Sequence, residues 1–141
     1  MLLTLQTHLH RYVAPSDPAF QLRIVPSVGG LPERGADGRP LVAAELGPLL
    51  SRDDQSSLTR RHALLVPLRR RSVLLLFDAV TELSPHDAEL RPLPSLLAAH
   101  LRQGWVRGVC VTSDALLLVL DLRALAMHAT AGAAPQPGDR Q

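Results

Sequence analysis

Apolar residues in this chain come only in runs of strand length. The longest, Ala115 to Leu120, spans six residues, far short of the roughly 18 needed to cross a bilayer as a helix. Short apolar runs broken by turn residues confine a chain to β-hairpins and small sheets. Ala63 to Leu68 is one such run and Val73 to Phe77 the next, with Arg69-Arg70-Arg71 as a charged turn between them. Pro67 lacks an amide proton, so the first of these strands is expected at an edge or a bulge. Asp78-Ala79-Val80-Thr81 is expected to continue the second through a bend. Another hairpin is expected from Trp105 to Thr112 and Ala115 to Leu120 around Ser113-Asp114. Between the hairpins, Arg91-Pro92-Leu93-Pro94 reads as extended. Ser95 is placed to cap a helical turn through Leu101, with Gly104 past its end, and Asp121 to cap a short helix from Leu122 to Met127.

The 141 residues suit one compact domain or two very small ones packed together. Residues 1–50 are broken by Pro and Gly, 51–61 read as a polar connecting loop, and 62–127 form the more apolar zone. An Ala/Gly/Pro tail at 128–141 has nothing to bury and is expected to be disordered. The first zone partly repeats the second. Leu3 to Pro15 has the shape of Ala63 to Leu75 at a constant offset of 60, and Arg34-Gly35 recurs as Arg107-Gly108. Glu45-Leu46 likewise recurs as Asp121-Leu122. Three matches in one order point to two related β units, and short strands of this kind fit small barrels. The expected fold is all-β: two five-stranded barrels, the first (1–50) reduced and the second at 62–127.

All fifteen cations are arginine. They are scattered apart from Arg60-Arg61 and Arg69 to Arg71, and the aromatics Tyr12, Phe20, Phe77 and Trp105 are far apart. Nucleic-acid readers concentrate basic residues with stacking aromatics, so nucleic acid is not an expected partner. A single cysteine, Cys110, excludes an internal disulfide framework and any multi-cysteine zinc site. Met1 to Tyr12 lacks the basic patch of a secretory signal. A soluble, cytoplasmic protein without direct membrane insertion is expected.

Reactive constellations are weak. His8 and His10 would share a face of a strand, but no third metal ligand lies close in sequence. Ser84-Pro85-His86-Asp87 contains the residue types of a hydrolase triad, yet such a string is what a turn or helix start looks like. Cys110 sits between valines, where a thiol acts as a small hydrophobe. Gly29-Gly30, Gly35 and Gly38 offer turns without a phosphate-binding Gly-Lys-Ser/Thr. Glu45, Asp78 and Asp121 each end an apolar run, which suits a cap or turn hydrogen bond, or a partner contact. Trp105 divides evenly between packing and an interface anchor. No catalytic, cofactor or metal site is expected.

The segments ALLVPLRRRSVLLLFDAVTEL, LRPLP and WVRGVCVTSDALLLVLDLRAL resemble the second half of CheW-like domains, the family of the chemotaxis coupling protein CheW. Asp78-Ala79-Val80, Gly108 and Asp121-Leu122 fall at the places of the family's "vDeV", "GI" and "iLDl" motifs. The Asn-Leu-Arg-Gly signature of the first half is degraded to Pro32-Glu33-Arg34-Gly35, followed by Pro40 to Leu46. The resemblance covers roughly Leu3 to Leu125. It implies two SH3-like barrels in a non-catalytic scaffold linking a CheA-type histidine kinase regulatory domain to chemoreceptors or other CheW-like domains. The motif arginine lies in a functionally important region of the family, and Arg34 is the matching position. With the candidates read from the residues themselves, the expected partner-binding set is Arg34, Gly35, Glu45, Val80, Trp105, Arg107 and Asp121. Loss of the Asn-Leu pair weakens the case for receptor coupling more than for kinase-side pairing. Two alternatives stay open: a diverged module regulating motility or pili, and a small metal- or ligand-binding barrel using His8, His10 and His62.

Overall fold

Both expected hairpins form. The computed structural model describes residues 1–26, 34–35, 38–95 and 104–133, with side chains through 131. The first four strands are β1 (Leu2–Gln6), β2 (Arg11–Pro15), β3 (Gln21–Val25) and β4 (Leu41–Glu45), followed by the short helix α1 (Leu46–Leu50). Then come β5 (Arg61–Pro67), β6 (Ser72–Phe77), β7 (Ala79–Leu83), β8 (Glu89–Pro92), β9 (Val106–Val111), β10 (Leu116–Leu120) and the helix α2 (Leu122–Ala133). The β5–β6 hairpin pairs His62 with Phe77 through Pro67 with Ser72. The β9–β10 hairpin pairs Val111 with Leu116 around the Ser113-Asp114 turn. The helical turn expected after Ser95 lies outside the described residues.

The strands make two mixed sheets, ordered β7-β1-β2-β10-β9-β8 and β3-β5-β6-β4. Sheet membership crosses the connecting loop at 51–61. β1 and β2 belong to the sheet of β7 to β10, while β5 and β6 lie between β3 and β4. A regularity underlies this exchange. In each sheet a hairpin (β1–β2 or β5–β6) is flanked antiparallel by one strand (β7 or β3) and parallel by another (β10 or β4). An acid stands between the parallel strand and a following helix: Glu45, the last residue of β4, before α1, and Asp121, just past β10, before α2. The repeat read in the sequence is thus present in the topology, with each copy lending its hairpin to the other copy's sheet.

Burial explains why the halves interlock. Alternation on β6 sends Val73, Leu75 and Phe77 to one face and Leu74 and Leu76 to the other, and all are buried. The first set joins Leu3, Leu5, Tyr12 and Ala14 of the other sheet, with Leu46 of α1 and Leu122, Leu125 and Ala126 of α2. One core thus lies between the sheets. A satellite cluster sits on the far face of each: Val13, Cys110, Leu117 and Val119 on one, Val25, Ala63, Leu74 and Leu76 on the other.

Two local expectations change. Pro67 lies in an inner strand, tolerated because β3 reaches only to Leu65 and leaves no ladder partner for the missing amide. The tail expected from His128 is helical to Ala133, because Ala129 is buried and extends the stripe of Leu122, Leu125 and Ala126 by one turn. Residues 134–141 lie outside the described residues. Gly108 pairs with Pro92 of β8, and a Cβ there would lie 2.5 Å from the Arg91 carbonyl oxygen.

Candidate interaction surface

Three of the seven residues singled out in the sequence converge where β9, β10 and α2 meet. The Asp121 amide donates to the Trp105 carbonyl at 2.6 Å, closing the end of β10 onto the start of β9. The Asp121 carboxylate accepts from the Ala124 amide at 3.1 Å, the expected cap of α2. Its other oxygen takes Arg107 Nε at 3.1 Å. Trp105 is half-buried, packed against the central core, with its ring 4.4 Å from that of His128 on α2. Nearby, Arg123 pairs with Asp17 at 3.5 Å and lies over the Phe20 ring. Exposed ion pairs of this kind contribute about 0–1 kcal/mol, against roughly 1.5–3 kcal/mol for burying a leucine. Leu122 and Leu125 therefore hold α2, and the charges sit on a face already fixed.

Glu45 does a different job. Its side chain makes no cap on α1; it reaches Arg61 at 2.6 Å, and Arg61 also meets Asp78 at 3.3 Å. Arg61 is only 4% exposed. The sequence places it at the end of a polar loop, whereas it opens β5 and bridges the end of β4 to the residue where the chain leaves one sheet for the other. Asp78 is that crossover: β6 ends at Phe77, the Asp78 amide donates to the Gln6 carbonyl at 2.8 Å, and β7 joins β1. His62 Nδ1 lies 3.0 Å from the Asp78 carbonyl oxygen.

The remaining candidates stand apart. Arg34 bridges to Pro40 and donates to the Gly38 carbonyl at 2.9 Å, and Gly35 donates its amide to Arg39 at 2.9 Å. Val80 sits on β7 opposite Leu5 and packs against the central core.

A second polar pin went unread in the sequence. Asp54, 1% exposed, accepts from the Thr7 hydroxyl and, at 2.8 Å, from the Leu9 amide, tying the connecting loop to the β1–β2 turn. Gly47 allows this approach, since a Cβ there would overlap the Asp54 carbonyl oxygen. Burial, with the Asp54 charge second, pushes the Tyr12 phenol up from 10.0 to about 12. The folded state thus keeps a proton that the unfolded chain releases near pH 10. Stability from this source is complete below pH 10 and falls as pH rises toward 12, by about 2–3 kcal/mol in all. Tyr12→Phe is expected to flatten the alkaline limb of a urea-midpoint profile; an unchanged limb would contradict this assignment.

The chemistry candidates resolve locally. His8 and His10 are exposed in the β1–β2 turn rather than on a strand. Among the described residues no three His, Cys, Asp or Glu side chains are grouped to hold a metal. Ser84 caps a 3-10 turn over Pro85–Asp87, accepting from the His86 amide at 3.3 Å. Cys110 is buried, and burial pushes its thiol up. Among the described residues no helix is long and apolar enough to cross a membrane.

Each sheet ends in a strand that offers apolar side chains to solvent. β3 presents Leu22 and Ile24, and β8 presents Leu90, each about half exposed. No family model matches the chain, and a search among curated proteins finds no match to it.

Proposed function

We propose that the chain is a CheW-like, non-catalytic adaptor of two SH3-like barrels that pairs with the regulatory domain of a CheA-type histidine kinase in a chemosensory pathway. The observation that carries this reading is the pair of edge strands, β3 and β8, with exposed Leu22, Ile24 and Leu90. Sheet edges with free backbone groups and apolar side chains are templates for another β-structure unless blunted. The satellite cluster behind each sheet supplies what a small barrel encloses, and the repeated hairpin topology supports two related barrels. Asp78, Gly108 and Asp121, the positions that resemble family motifs, occupy a crossover, a close strand contact and a helix cap. Those roles build the scaffold, and the edges meet the partner.

The test is native mass spectrometry of the chain with the kinase regulatory domain from the same genome, at roughly tens of micromolar. An equimolar complex is expected, lost with Leu22→Asp/Ile24→Asp in a protein whose melting is unchanged. Absence of any complex between folded partners would overturn the proposal.

A further inference from the structure

The tip of the β5–β6 hairpin does not stand free in solvent. Arg69, Arg70 and Arg71 form one wall of an open groove of about 810 Å³, whose other wall is α2. On α2 the lining residues Arg123, Met127, Thr130 and Ala131 follow a spacing of four, three and one, a single helix face. Arg39 closes one end, its guanidinium donating to the Leu68 carbonyl at 2.7 Å. Five arginines from three separate segments thus line one groove, and no acid is among the described lining residues. Arg123 has Asp17 as its partner, whereas Arg69 to Arg71 are exposed and take no carboxylate or carbonyl among the described residues. The floor is apolar: Pro67, Leu68 and Met127, the last 59% exposed.

We propose that this groove binds an acidic peptide segment of a partner protein, carboxylates facing the arginines and aliphatic side chains lying on Leu68 and Met127. Arg69, Arg70 and Arg71, adjacent like charges with no carboxylate partner among the described residues, raise the local potential and attract an anion. The apolar floor selects a ligand with aliphatic groups. Among the described lining residues no aromatic ring is present to stack a base, which disfavours single-stranded nucleic acid. Residues 134–141 do not fit the charge, since they hold one acid and one arginine. The site is separate from the β3 and β8 edges and does not depend on the kinase reading.

The probe is a short fluorescein-labelled peptide of Glu with interspersed Leu, followed by anisotropy at low and physiological salt with the full chain. Saturable binding that weakens with salt is expected. Arg69→Glu/Arg70→Glu/Arg71→Glu should weaken it by at least about tenfold, with melting unchanged because the three side chains are exposed. Met127→Ser should also weaken it, as should a peptide with Gln in place of Glu. Failure of the folded chain to bind, or affinity indifferent to the triple reversal, would overturn the proposal. So would tighter groove-dependent binding of an oligothymidylate or of phosphatidylserine vesicles. Neither result touches the kinase assay, so the two readings fail separately.

Discussion

Arg61→Met is expected to destabilise the protein by about 3–5 kcal/mol, the cost of leaving buried charge without its counter-ion. Arg61 is 4% exposed and holds Glu45 at 2.6 Å and Asp78 at 3.3 Å. Without the guanidinium, two carboxylates face each other beside an apolar stem, at the point where β4, β5 and the β6–β7 crossover meet. The unmutated triad is no optimum of stability, because Arg61 Nε is buried without an acceptor among the described residues. Its effect is to fix where the chain changes sheets. The triple variant Arg61→Met/Glu45→Gln/Asp78→Asn, which removes every charge together, should therefore recover most of the loss. Urea titration checks both variants. A single variant within about 1 kcal/mol of the parent would show that the triad behaves as a solvated surface pair.

How much of this was legible in the sequence depends on the range of each interaction. The two hairpins and the Asp121 cap were legible because apolar runs, turn residues and caps act over a few residues. The internal repeat was legible too, since Leu3 to Pro15 and Ala63 to Leu75 share a pattern. The exchange of hairpins was not. β1 meets β7 and β2 meets β10 across most of the chain length, and nothing local at Leu2 to Pro15 names those partners. Arg61 and Asp54 were missed for a related reason. A charge in SRDDQSSLTRR reads as solvated until distant groups close over it: Glu45 and Asp78 on one, Thr7 and the Leu9 amide on the other. Asp54 left no sequence signal at all. The groove was half legible: Arg69 to Arg71 stood out as a run, whereas Arg39 and Arg123 are brought to it only by the fold.

Cutting the chain within the connecting loop, into residues 1–55 and 56–141, is expected to abolish the fold of both pieces. In the second piece β7 would lose β1, the strand that joins it through β2 to β10, and β5–β6 would lose both flanking strands, β3 and β4. In the first piece β1–β2 would be a lone hairpin, which is marginal in water, and the shared core would be split between the fragments. The direct measurement is thermal unfolding of each fragment alone and of the equimolar mixture, followed by circular dichroism. Interlocked repeats predict no cooperative transition for either fragment and its return on mixing; a cooperative transition for 56–141 by itself would contradict the exchange of hairpins on which the rest is built.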